Sequence, residues 1–165
     1  MGLIQVNKAV ADGTSNTLSV TGINSDDVYV VFGYNLTPTT STATTYGRVT
    51  KSGTQDTTAN YDYASKKMNF GGAFQNISNS NQTLFEPLSN QVLATGVSDS
   101  FIMYLYNFNS ASEYSFISFD TIQSIYSGWS GGCVHTVASA SDGFGILPNA
   151  GNVGSGSTLV LYKVI

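Results

Sequence analysis

The sequence is short of charge and of thiols. Only 10% of its 165 residues are Asp, Glu, Lys or Arg, against about 25% in an average soluble domain. Cys133 is the only cysteine and His135 the only histidine, so no disulfide can form within the chain and a Cys/His zinc site lacks ligands. A chain of this length buries roughly 70% of its unfolded surface. We therefore expect it to fold without a disulfide or a metal.

Positive charge is scarcest in the second half of the chain. Acids and bases balance over residues 1–82, whereas residues 83–165 hold one lysine against five acids, which gives the net charge of −4. No basic stripe is available to neutralise phosphates, which argues against nucleic-acid binding. No apolar run approaches the roughly 18 residues of a membrane span, and the first residues lack the features of a signal peptide. We expect synthesis in a cytosol and no membrane partner.

Helix signals are nearly absent and strand signals recur. Only residues 64–68 look mildly helical, and that stretch is too short to stand alone. Short apolar or alternating runs separated by Gly, Asn, Asp and Ser indicate an all-β sandwich or barrel. The predicted strands are residues 3–6, 17–23, 28–32, 45–51, 101–106, 115–119, 134–137, 143–147 and 157–165.

The chain shows no internal repeat and no linker. We expect one domain over residues 17–165, preceded by residues 1–16 as an N-terminal arm or first strand. The apolar end, residues 157–165, should be a paired strand, since it would fray if left exposed. Residues 69–97 are weakly patterned and are predicted to be a long connection or a loop that faces a partner.

One stretch matches the nucleophile elbow of hydrolases. Residues 128–132 fit G-x-S-x-G, but no helix pattern follows, and His135 comes too soon with no acid between. A Gly-rich loop is the preferred interpretation, and residues 151–156 are expected to form a turn into the last strand. Cys133 and His135 share a strand face by spacing, with Cys133 predicted in the core and His135 at the surface or an interface.

The carboxylates form no recognisable site. Glu86, Glu113 or Asp120 could in principle supply a glycosidase pair, and residues 26–27 with Asp56 could ligate calcium, but no EF-hand pattern supports it. We predict no catalytic residue, no cofactor and no metal site.

Aromatic residues are the abundant resource of this chain. It has 10 Tyr, 9 Phe and one Trp. Several lie in turn-rich stretches, where they could form a subunit interface or a flat platform for glycans, with the core as the alternative. These candidates are Tyr46, Tyr61, Tyr63, Tyr126 and Trp129.

The order of short motifs resembles one group of proteins, the β-rich virion proteins of tailed phages, especially marine and cyanobacterial ones. The resemblance covers residues 17–165. Its motifs are Leu18–Ile23, Val28–Phe32, Arg48–Gly53, Tyr61–Ala64, Met103–Phe108 and Gly151–Thr158, which leads into Leu161–Tyr162.

This resemblance implies an antiparallel, jelly-roll-like sandwich without catalytic residues, carried on the virion after synthesis in the cytoplasm of a bacterial host. The expected role is a capsid decoration or cement protein. Its partners would be copies of itself, a homotrimer by analogy, and other virion proteins such as the major capsid protein, with residues 1–11 adding a strand to a neighbour. The alternative is a tail fibre or receptor-binding component that recognises host surface glycans. A glycan hydrolase ranks last, since no credible acid/base pair is present.

Overall fold

Strands make up most of the described chain. The computed structural model describes residues 2–40, 42–69, 71–92, 97–123 and 127–165. Within these ranges it has no helix, which confirms the all-β prediction. The strands are β1 Leu3–Val10, β2 Leu18–Thr21, β3 Tyr29–Leu36, β4 Thr42–Lys51, β5 Thr54–Gln55, β6 Tyr61–Asn69, β7 Phe74–Gln82, β8 Phe85–Val92, β9 Asp99–Tyr106, β10 Ser115–Gln123, β11 Ser127–His135, β12 Gly143–Pro148 and β13 Thr158–Val164.

The strands form two antiparallel sheets that pack as a sandwich. The large sheet has the order β1-β13-β3-β9-β10-β11-β6-β7. The small sheet has the order β2-β12-β4-β5, and β8 also pairs with β4. Buried apolar side chains from both sheets fill the space between them in one core.

The connectivity is that of a jelly roll with two added hairpins. When β5, β6, β7, β10 and β11 are set aside, eight strands remain. In chain order the first, eighth, third and sixth of these are neighbours in the large sheet, and the second, seventh, fourth and fifth are neighbours in the small sheet. This is the order that two Greek keys produce in a jelly roll. The hairpins β6–β7 and β10–β11 supply the rest of the large sheet and double its width.

Several predicted strands are confirmed with their faces. In β2, Leu18 and Val20 point into the core, while Ser19 and Thr21 are half-buried. Residues 28–32 form a continuous apolar run, which is typical of a strand covered on both faces, and Tyr29, Val30 and Val31 are all buried. Tyr29 and Val31 face the core, and Val30 lies on the opposite face between its cross-strand neighbours Tyr162 and Tyr104.

The two chain ends meet at one edge of the large sheet. The predicted terminal strand is confirmed as β13, which pairs with both β1 and β3 and buries Leu159 and Leu161 completely. Residues 3–10 form β1, the edge strand of the chain's own sheet. Of the two predicted roles for residues 1–16, the first strand is therefore the one observed.

The prediction of a long connection over residues 69–97 is wrong for its described part, which holds β7 and β8. Strand β7 is an edge strand with mostly exposed side chains, so its backbone pairs with β6 without an apolar alternation. Strand β8 buries Phe85 and Leu88, three residues apart, because the pairing of β4 and β8 is irregular between Thr45 and Gly47. A bulge of this kind breaks the period of two on which strand prediction relies.

The prediction of a Gly-rich loop at residues 128–132 is also wrong, because this stretch lies within β11. Gly131 is paired with Ser65, and a Cβ atom at Gly131 would lie 2.4 Å from the carbonyl oxygen of Ala64. Glycine therefore permits the close approach of β11 to β6. Residues 64–68 lie in β6 and not in a helix, whereas the turn at residues 151–156 is confirmed before β13.

We expect Gly131→Ala to lower the free energy of unfolding by about 1–3 kcal/mol, because the added methyl must displace backbone atoms. Gly71→Ala is the matched control, since a Cβ there meets nothing within 4 Å. Urea denaturation followed by tryptophan fluorescence measures both. Equal stability of the two variants would contradict the close packing of β11 and β6.

Candidate functional site

The aromatic residues predicted for a platform lie mostly in the core. Tyr61, Tyr63 and Trp129 are 0%, 5% and 3% exposed, so the prediction that they form an open platform is wrong. They occupy the inward positions of β6 and β11, where the small sheet covers them. Tyr46 is half-buried on the outer face of β4, and Tyr126 lies outside the described residues.

A different set of aromatic and aliphatic side chains lies on the outer face of the large sheet. This surface, called the outer face here, spans β1, β13, β3, β9 and β10. Cross-strand pairing places its members side by side, since Phe32 is flanked by Val160 on β13 and Ile102 on β9. The members are Leu3, Phe32, Tyr34, Ile102, Tyr104, Tyr106, Phe116, Ile122, Val160 and Tyr162.

The outer face exposes apolar side chains on several neighbouring strands. Ile122 is 72% exposed, Leu3 47%, Phe116 41%, Tyr34 37% and Tyr106 36%. With roughly 150–250 Å² per aromatic side chain, these five residues together leave on the order of 400 Å² in contact with water. The largest apolar patch of a typical monomer is about 300–600 Å² and is often functional, so the outer face is a candidate interaction surface.

One half of the outer face is a depression with a purely apolar and aromatic lining. Its floor is the buried Val160 of β13, and its walls are Leu3, Phe32, Tyr34 and Tyr162. The rings of Phe32 and Tyr162 meet edge to face with centroids 5.6 Å apart. We call this the apolar depression. It contains no charged side chain, so it suits an apolar partner.

The other half mixes aromatic rings with hydrogen-bonding groups. Tyr104 and Tyr106 stack with ring centroids 6.5 Å apart, and Tyr106 is paired with Phe116 across the strands. Tyr114 precedes Phe116 by two residues and is 47% exposed. These four rings are called the aromatic strip. Beside it runs an open groove lined by Asn107, Ser112, Glu113, Tyr114, Phe116 and Ala138.

The outer face could not be predicted from hydropathy, because residues 101–106 form one continuous apolar run. In the structure the strand alternates, with Phe101, Met103 and Leu105 buried and the residues between them on the outer face. The two-residue alternation of a strand could have assigned these residues to opposite faces. All six residues are apolar or aromatic, however, so hydropathy alone did not separate the two faces.

A buried polar cluster lies near the opposite edge of the large sheet. His135 was predicted at the surface or an interface, but it is 0% exposed within the single chain, which corrects that prediction. Its Nε2 lies 3.2 Å from Oδ2 of Asp56, and its ring packs against Tyr61 with centroids 5.0 Å apart. The same Asp56 carboxylate accepts a hydrogen bond from Lys51 Nζ at 2.8 Å and two from Thr58. The cluster fastens residues 54–60 to the sheet.

Burial and charge tune the groups of this cluster. Burial is the largest influence on His135 and lowers its pKa, the charge of Lys51 lowers it further, and Asp56 offsets part of the shift. Burial opposes the ionisation of Asp56, but hydrogen bonds from Lys51 and Thr58 outweigh it and hold the pKa of that carboxyl well below its usual value. Burial raises the pKa of the Cys133 thiol, which confirms Cys133 as a core residue and disfavours a reactive thiolate.

The carboxylates considered for chemistry are scattered. Glu113 lies beside the aromatic strip, and Asp120 is exposed on β10. Asp27 pairs with Lys163, while the side chain of Glu86 is outside the described part of the chain. Among the residues that the structure describes, no three His, Cys, Asp or Glu side chains are grouped to hold a metal ion.

Comparison with known proteins adds no relative. No protein-family model matches the chain, and no curated protein matches it in sequence. In the described ranges there is no helix of the length and apolarity needed to cross a membrane. The proposals for function therefore rest on the fold and on the two halves of the outer face.

We expect the free energy of unfolding to fall as the pH drops below about 6.5, the ordinary pKa of histidine. The folded pKa of His135 is lowered, so the unfolded chain binds a proton first and stability is fully present only above that value. His135→Gln should flatten this dependence between about pH 7.5 and about pH 5.5 in urea titrations. The stabilisation from Asp56 is fully present over this range and is lost only at lower pH, because the unfolded pKa of Asp56 is near 3.8 and its folded pKa is lower still.

Asp26→Asn is the matched control for this titration, because Asp26 is exposed and precedes β3, which is separated from β11 by two strands of the large sheet. It should retain the wild-type slope. A slope that is unchanged in His135→Gln would show that another group causes the acid sensitivity.

Proposed function

We propose that this chain is a structural protein of a phage virion, an outer capsid decoration or cement protein that binds neighbouring subunits. The observation that supports this most is the outer face of the large sheet, with its exposed Ile122, Leu3 and Tyr34. The protein presents this surface on a rigid sheet and not on loops. A rigid, apolar surface suits permanent contact between subunits.

The size of the outer face fits a subunit contact. A standard interface buries about 800 Å² on each partner, of which the core is mostly apolar. The exposed Leu3, Tyr34 and Ile122 supply about a third of that area without the rings of the aromatic strip. Half-buried neighbours such as Ile102 and Tyr162 extend it across five strands.

The partners we propose are further copies of this chain and the major capsid protein. With only 10% charged residues, the chain has little means of steering a partner by charge, so association would rest on apolar burial. A homotrimer is the expected assembly by analogy. The jelly-roll topology agrees with this class of protein, since viral capsid proteins use it, but the fold alone does not define a function.

We expect the wild-type protein to sediment as an oligomer and the double variant Leu3→Lys with Tyr34→Lys to sediment as a monomer. Both side chains border the apolar depression and are exposed within the chain, so folding should be retained while an interface would have to bury two unpaired charges. The control is Thr54→Lys with Thr57→Lys, which adds the same charge to exposed positions outside the outer face. A monomeric wild type would contradict self-association.

We expect a reconstruction of the intact virion to place this chain on the outside of the head, with the apolar depression turned towards another subunit. Density inside the head, or none in the particle, would contradict the proposal. Density on the tail would favour the alternative, a tail fibre or receptor-binding component, over a decoration protein.

A further inference from the structure

We infer that the aromatic strip, Tyr104, Tyr106, Tyr114 and Phe116, together with the groove beside it, binds a short neutral oligosaccharide. The inference does not depend on where the protein sits in a particle. It concerns the half of the outer face that is separate from the apolar depression.

The strip places four rings close to one another. Tyr104 and Tyr106 stack on β9, Phe116 is the cross-strand partner of Tyr106 on β10, and Tyr114 and Phe116 both line the groove. Pyranose rings present C–H bonds on one face, and these pack against the electron-rich face of an aromatic ring. With neighbouring strands about 4.8 Å apart and about 3.3 Å per residue along a strand, the strip is long enough for about two or three sugar units.

Polar groups lie where sugar hydroxyls would need them. Glu113 supplies an exposed carboxylate, and Asn107 and Ser112 supply an amide and a hydroxyl in the same groove. A carboxylate accepts hydrogen bonds from two adjacent hydroxyls, and an amide both donates and accepts. A ligand site generally combines an apolar platform with a few convergent polar groups of this kind.

The charge of the groove selects the class of sugar. Of its lining residues only Glu113 is charged, and it is negative. No lysine or arginine lines the groove to receive a carboxylate, sulfate or phosphate group. The second half of the chain, to which the groove belongs, is acidic as a whole. A neutral hexose chain therefore fits, whereas a polyuronate or a sulfated glycan would be repelled.

The same features distinguish this site from a protein interface. The apolar depression, at the other side of the outer face, has an apolar and aromatic lining, so only the hydroxyls of Tyr34 and Tyr162 would need partners when it is buried against protein. The groove would bury Glu113 and Asn107 against an apolar partner, which is costly unless they are hydrogen-bonded. A hydroxyl-rich ligand satisfies them.

The test is isothermal titration of the purified chain with four hexaoses: cellohexaose, maltohexaose, mannohexaose and, as the anionic comparator, hexagalacturonate. We expect at least one neutral hexaose to bind with a dissociation constant of about 1 mM or tighter, and hexagalacturonate not to bind. Tyr114→Ala with Phe116→Ala should weaken binding at least about tenfold, since each stacked ring contributes a few-fold. Glu113→Gln should weaken it less.

Phe74→Ala is the matched control, because Phe74 is an exposed aromatic residue on β7 that lines neither the groove nor the apolar depression. It should bind sugar as the wild type does. The inference is overturned if no neutral hexaose binds, if hexagalacturonate binds best, or if the Tyr114/Phe116 variant binds unchanged while its dichroism spectrum shows a folded chain. Loss of oligomers in the Leu3/Tyr34 lysine variant with intact sugar binding would separate this site from the proposed subunit contact.

Discussion

The packing of Phe85 between the two sheets is the contact on which the rest of the sandwich depends. Its ring lies 5.7 Å from that of Phe144 in the small sheet, and 6.2 Å and 6.4 Å from those of Phe119 and Tyr61 in the large one. A Cβ atom at Gly47 would lie 2.2 Å from the Phe85 ring, so glycine at that position is what makes room for it. This contact joins β8, which pairs with β4 in the small sheet, to the added hairpins of the large sheet.

That inward packing explains why an aromatic surface is left outside. The inner positions of the strands already hold large rings, and a sandwich core about 10 Å thick accepts only one layer of side chains from each sheet. The alternate positions of the same strands must then point outwards. In β9 and β10 most of those positions hold aromatic or aliphatic residues such as Tyr104, Phe116 and Ile122, beside the polar Ser100, Ser118 and Asp120, whereas a solvent-facing sheet would carry polar ones throughout. The outer face is thus a departure from the binary pattern, and such departures belong to functional surfaces.

The sequence predicted the strands whose neighbours impose a simple pattern. β2 alternates because one face is buried, β3 begins with a run of buried apolar residues, and β13 lies between two strands and buries Leu159–Leu161. It did not predict β7, whose position at the edge of the sheet requires no apolar side chains. It also did not predict residues 128–132 of β11 as a strand, because their glycines are explained only by the close packing of β6 against β11. These depend on pairing between distant segments, which no local window contains. The candidate platform failed for the same reason, since the face on which Tyr61 and Trp129 lie follows from the pairing register.

The residues that carry the most familiar chemical signals have structural roles here. His135 and Asp56 hold a segment against the sheet, Cys133 fills the core, and the G-x-S-x-G stretch is the interior of a strand. Reactive groups need access to a substrate, and burial removes it. What remains accessible is a sheet surface with little charge and many rings, divided into an apolar half and a half with hydroxyl, amide and carboxylate neighbours. Shape, apolar burial and stacking are the means of recognition that such a surface offers, and both proposals, a subunit contact and a site for neutral sugars, rest on them.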